Sequence, residues 1–181
     1  MSLLRPLSLV LASLISCVTT TTYAHAQEKL PPDGRTVVPD SCSVTRPGDR
    51  PFVPPRKYRH QLGKDYFWYG TDRLWVVLPA SGMWAGLPHY EPGDPTFRQK
   101  IAWWRLGLEA DTKLPTPFRI TGRRLDAPAP PLLSDPVTGV SAMTDSTPFF
   151  MSGVNFPTPG CWEVTGRYDQ DELSFVIWIA L

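Results

Sequence analysis

The stretch from Pro157 to Leu181, PTPGCWEVTGRYDQDELSFVIWIAL, constrains the fold more than any other part of the chain. Trp162, Val164, Gly166 and Tyr168 fall on one side of an extended segment, opposite Glu163, Thr165 and Arg167. Leu173, Phe175, Ile177 and Ile179 alternate in the same way with Ser174, Val176, Trp178 and Ala180. Period-2 alternation on both sides of a polar turn at Asp169 to Glu172 is the pattern of a β-hairpin. The second arm is apolar on both faces, which predicts a central strand covered on both sides. Cys161 stands at the start of the hairpin.

The other end of the chain predicts where that cysteine works. Arg5 supplies a positive n-region, Leu7 to Ser16 a short apolar run, and Ala24-His25-Ala26 an A-x-A cleavage site. The apolar run, about ten residues, is too short to span a bilayer as a helix. Residues 1–26 therefore read as an export signal, and the location as extracytoplasmic: periplasm, cell surface or medium. Leu14-Ile15-Ser16-Cys17 also resembles a lipobox, whose use would place a lipid on Cys17 and make the protein a lipoprotein. Cleavage after Ala26 is the preferred reading. Either route leaves Cys42 and Cys161 as a pair in an oxidising compartment, where disulfides persist. Their bond would close a loop of roughly 120 residues, which the chain-entropy estimate values at about 4–5 kcal/mol.

Between these ends the chain reads as an arm followed by strands. From Gln27 to about Gly63 the prolines Pro31, Pro32, Pro39, Pro47, Pro51, Pro54 and Pro55 remove backbone donors and favour extended geometry. Within this leader and arm, residues 41–45 could add one short edge strand around Cys42. Residues 64–181 form the predicted domain. Tyr66 to Tyr69, Arg73 to Leu78, Arg98 to Leu106, Pro117 to Arg124 and Phe149 to Val154 read as strands, and Ala127 to Asp145 as a long loop. With the closing hairpin this makes about seven short strands, turn signals between them and no long helix. The fold class is all-β, an immunoglobulin-like β-sandwich with a Pro-rich N-terminal arm.

The run FWYGTDRLWVVLPASGMW (Phe67 to Trp84), the segments RQKIAWWRLG and TGRRLD, and the ending GCWEVTGRY together resemble an uncharacterised family of exported bacterial proteins. The GCWE hairpin is also similar to the last hairpin of small immunoglobulin-like bacterial envelope domains. The resemblance spans about residues 42–181 and implies an exported β-sandwich without an assigned activity.

No motif dictates a reaction. His60 and His89 lack the close partners of a zinc site, and His89 with Glu91 and Asp94 reads as a solvated loop. There is no nucleophile elbow and no phosphate-cradling glycine loop, and Cys161 is better used in a disulfide than as a nucleophile. No cofactor or metal is implied. Asp65, Asp72, Glu91, Asp94, Asp126 and Glu163 are undistinguished candidates for a carboxylate pair. The chain carries a formal net charge of +1, and losing Arg5, the one charged residue of the signal, brings it to zero. That balance gives no electrostatic case for nucleic acid or an anionic membrane.

Two features could bind a partner. The first is the load of seven tryptophans. Most should be core, since aromatic rings dominate core energetics. Trp84, in a Gly-rich loop, and one of Trp103 and Trp104 are the expected exceptions, able to stack on sugar rings. The second is the row Arg119, Thr121, Arg123, a basic stripe on one strand face that could meet an anionic polymer. Pairing with Glu163 or Asp126 is its plainer reading. The leading expectation is a non-catalytic interaction or structural module of the cell envelope, with an envelope glycan or another envelope protein as partner. The alternatives are a carbohydrate-binding module and a small envelope hydrolase with a carboxylate pair.

Overall fold

Alternation in the closing segment builds the hairpin: β10 (Gly160–Tyr168) and β11 (Asp171–Ile179) pair antiparallel from Gly160↔Ile179 to Tyr168↔Asp171. The turn is therefore the two residues Asp169 and Gln170, tighter than the sequence suggests. Asp169 takes a left-handed φ of 55°, a conformation that a short polar side chain tolerates. The structure is a computed structural model describing residues 37–89, 91–110, 113–142 and 147–181, all within the compact unit Pro31–Leu181. Cys17, the cleavage site at Ala26 and the leader up to Thr36 lie outside the described residues.

Two sheets form a β-sandwich. Sheet A holds β1 (Tyr66–Gly70), β2 (Leu74–Pro79), β4 (Phe97–Arg105), β9 (Pro148–Phe156) and β6 (Leu133–Ser134) in the order β1-β2-β4-β9-β6, with β8 (Ser141–Ala142) also on β9. Sheet B has the order β3-β11-β10-β5-β7, where β3 is Met83–Trp84, β5 Lys113–Arg124 and β7 Val137–Gly139. The strands of five residues or more are β1, β2, β4 and β9 in one sheet and β5, β10 and β11 in the other. That four-and-three division is the one found in constant-type immunoglobulin sandwiches. Within sheet A the order is this chain's own, because β4 lies between β2 and β9. No α-helix occurs among the described residues, only a 3-10 turn at Arg56–Tyr58.

Three details depart from the sequence reading. Residues 41–45 form no strand; Thr45 instead exchanges bonds with Val176, its N–H donating to the carbonyl at 2.8 Å and its hydroxyl accepting from the Val176 N–H at 2.9 Å. The loop from Ala127 contains β6, β7 and β8, too short to show a period in sequence, which cover the outer edges of β9 and β5. And β11 has a neighbouring strand on both sides along only part of its length. Beyond β10 its neighbours are the two residues of β3, paired in parallel, and the arm at Thr45. Tyr69 Oη donates to Ser174 O, Trp178 N–H to Gly82 O and Ala180 N–H to Trp84 O, so this exposed-looking edge is closed group by group. Such cover removes a template for unwanted pairing.

Side-chain alternation fills two cores. Between the sheets lie Leu74, Val76, Ile101, Trp103, Phe118, Phe150, Trp162, Phe175 and Ile177. On the opposite face of sheet A, Trp68, Trp75, Trp104 and Phe149 pack under the Pro-rich arm through Tyr58, Phe52 and Leu62. Tyr58 Oη accepts from Gly107 N–H at 3.0 Å, and the His60 ring sits 4.8 Å from that of Trp68. The arm is pinned at its start by the Cys42–Cys161 disulfide, which spans 119 positions, with a Cα–Cα distance of 5.7 Å.

A charged node ties the sheets at one end. Asp171 on β11 accepts from Arg105 Nε at 2.6 Å and Arg73 Nε at 3.3 Å, both on sheet A strands or their turns. Partial burial pushes the Asp171 carboxyl up, but the two guanidiniums outweigh it and hold the group below its ordinary value of 3.8. The folded-state pKa lies under the unfolded one, so the ionised pair stabilises at every pH above about 3.8. That contribution is lost as pH falls through the lower folded value. Asp171→Asn should lower Tm at neutral pH and bring it toward the parent Tm in strong acid. Melting curves from pH 7 to pH 2 check this; a constant gap across the range would contradict it.

Candidate functional site

The outer face of sheet B is an ordered polar surface built by strand register. On β5, Phe118 and Ile120 point into the core, which turns Arg119, Thr121 and Arg123 to the exterior, all three exposed. Register then sets three cross-strand rows: Arg119, Arg167 and Glu172; Thr121, Thr165 and Ser174; Arg123, Glu163 and Val176. Arg123 Nε donates to Glu163 at 2.7 Å, Arg167 pairs with Glu172, and the Thr165 and Ser174 hydroxyls share a bond of 2.7 Å. Arg119 stands opposite the like-charged Arg167 and has no hydrogen-bond or ion-pair partner among the described residues. Like charges directly opposite repel, so Arg119 is open to an added anion.

Beside this face, Arg124 and Asp126 make a two-pronged pair at 2.7 and 3.1 Å, and Asp126 also accepts the Cys161 N–H at 3.1 Å. Burial again pushes the carboxyl up, while the Arg124 guanidinium and the backbone donor hold it down overall. The effect is to brace the backbone at the disulfide. Glu163 and Asp126, two of the carboxylates the sequence offered for catalysis, are thus each tied to an arginine. Asp65, Asp72 and Glu91 lie exposed, and Asp94 accepts the Thr96 N–H at 2.8 Å. His89 Nδ1 donates to the Thr96 carbonyl at 2.8 Å. No group of three or more His, Cys, Asp or Glu residues could hold a metal among the described residues.

The aromatic platform expected of a sugar-binding surface does not form. Trp84, Trp103 and Trp104 are 8%, 0% and 3% exposed. Trp84 lies on β3, whose pairing with the end of β11 turns its ring between the sheets toward Phe156 and Phe175, at 6.1 and 6.0 Å. Trp103 and Trp104 occupy opposite faces of β4, as adjacent strand residues must, but the arm covers the second face. Trp178, on the outer face of sheet B, is the half-buried exception.

A second concavity escaped the sequence reading. It lies on the part of sheet A's outer face beyond the arm, an open recess of about 330 Å³ lined by Arg98, Leu133, Ser134, Asp135, Gly153 and Asn155. Arg98 and Asn155 are 57 positions apart in sequence number and meet only because β4 pairs with β9. No local pattern marks either residue. No family model, no curated protein and no solved structure matches the chain.

Proposed function

We propose that this protein is an exported β-sandwich of the cell envelope that acts as a non-catalytic interaction or structural module, with the outer face of sheet B as its contact surface. The observation that carries the reading is Arg119: an exposed, unpartnered guanidinium held by register beside a closed lattice of paired charges and hydroxyls. A rigid polar face with an unsatisfied guanidinium suits a partner that brings a carboxylate or phosphate. The buried disulfide supports an oxidising location, and no helix among the described residues is long and apolar enough to cross a membrane. The signal segment ending at Ala26, and the alternative lipid on Cys17, supply the export route. The family resemblance in the GCWE hairpin points the same way.

Arg119→Glu tests this cleanly, because the side chain has no internal partner to lose. Retention of the protein on isolated envelope fractions should fall by roughly tenfold, the equivalent of about 1.4 kcal/mol, with Tm unchanged or slightly raised through new pairing with Arg167. Unchanged retention in the folded variant would remove sheet B as the contact surface.

A further inference from the structure

The recess on sheet A points to a ligand of its own, distinct from the sheet B contact. Arg98 packs beside Gly153 on its floor: a Cβ added at Gly153 would come within 2.9 Å of Arg98 Nη2, the end of a half-buried side chain that would shift to make room. Asn155 stands opposite Arg98 across the β4–β9 pair, and Leu133 of β6 stands opposite Asn155 on the far side. The Asn155 Oδ1 is buried and has no hydrogen-bond partner among the described residues. A buried acceptor left unmade carries a desolvation penalty, which an N–H donor brought by a ligand would relieve. Asn155 lines the recess, so its amide is a polar neighbour of whatever enters there. Asp135 places an exposed carboxylate on the rim, and Leu133, 54% exposed, forms an apolar wall.

These groups define complementary chemistry. A guanidinium with five donors takes a carboxylate even when it already bonds elsewhere. A carboxylate and an orphan amide oxygen together take an ammonium group. A short apolar wall takes a small side chain. The volume is at the lower end for small-molecule sites, about 300 Å³ and upward.

We propose that this recess binds a zwitterionic α-amino-acid centre: carboxylate on Arg98, ammonium between Asp135 and Asn155, and side chain against Leu133. Such a centre exists in free amino acids and in diamino acids that keep one α-amino and one α-carboxyl group free within a wall peptide. The shared chemistry is the same, and the experiment separates the sources.

The test is an NMR titration of the full protein, following the backbone amides of Gly153 and Asn155 with D-alanine, L-alanine and meso-diaminopimelate into the tens of millimolar range. Acetate and ethylammonium serve as single-charge controls. The expected result is saturable shifts at Gly153 and Asn155 from at least one zwitterion, with neither control matching it. Saturation by either alanine identifies free amino acids as sufficient; saturation by meso-diaminopimelate alone identifies the wall-peptide source. Arg98→Gln and Asp135→Asn should each weaken binding roughly tenfold or more, as expected for charge-assisted bonds. Arg119→Glu should leave the affinity unchanged. No saturable shift from any zwitterion overturns the proposal. So do equal shifts from acetate, or unchanged affinity in folded Arg98→Gln and Asp135→Asn variants. The Arg119→Glu control keeps this outcome separate from that of the sheet B contact.

Discussion

Replacing Cys42 and Cys161 together by alanine is expected to lower the free energy of unfolding by about 4–5 kcal/mol, the largest single effect in the molecule. The bond closes 119 positions of chain, and most of its contribution comes from restricting the unfolded ensemble. Both sulfurs are buried, and the bond holds the beginning of an arm whose later residues Phe52, Tyr58 and Leu62 cover Trp75 and Trp104. Loss of the pin should therefore also loosen that cover. Urea unfolding monitored by tryptophan emission reads both effects: a lower midpoint, and a red-shifted native baseline as the second core takes up water. A loss under about 1 kcal/mol would mean that the docked arm and the Asp126 brace already restrain the chain as the bond does.

Trp103→Ala comes next, with an expected loss of about 3–5 kcal/mol. The indole is fully buried between the sheets, 5.4 Å from Phe118 and 5.7 Å from Phe175. It reaches the backbone of β10 because position 166 is glycine; a Cβ there would lie 2.7 Å from the Trp103 ring and 2.8 Å from Phe118. Deleting the ring leaves a cavity whose walls belong to both sheets and relax poorly, so transfer and cavity costs add. Calorimetry should show a large drop in Tm for Trp103→Ala. Gly166→Ala, which overpacks the same contact, should cost about 1–3 kcal/mol. A folded Trp103→Ala variant of near-parental Tm would contradict the placement of this ring in the core.

The two predictions bear on function through what they assign to structure. Tryptophans able to stack on sugar are occupied in packing, and the acids Asp126, Glu163, Asp171 and Glu172 are each engaged by an arginine. Two polar surfaces remain as candidates for a partner, the Arg119 face and the recess lined by Arg98. They lie on opposite outer faces of the sandwich, and each has its own charge-changing test.

Much of the strand content was legible along the chain. Phe118 and Ile120 alternate with Arg119 and Thr121, and that period alone assigns β5 an inner and an outer face. The same logic placed the closing hairpin, because a strand with one buried side must repeat every two residues, whereas β4 rested on adjacent tryptophans between Gly and Pro and β9 on its β-forming residues. The short strands β3, β6, β7 and β8 were not legible, since two or three residues carry no period. The apolar outer side of β11 was misread for a related reason. Val176 and Trp178 show an apolar face, but not whether the strand has full neighbours or only a two-residue strand and the backbone of the arm along its outer edge.

Residue types and their spacing were thus sufficient for the all-β class, the faces of β5 and the closing hairpin, and the pairing of Cys42 with Cys161. These are local periodicities, or a choice with one available partner. Tertiary structure alone decided which face of Trp84 and Trp104 would be covered, which carboxylate each arginine would meet, and that Arg98 and Asn155 would share a recess. Those outcomes depend on sheet order and on the path of the arm, which bring together residues far apart in the chain and leave no mark on the neighbours of any one of them.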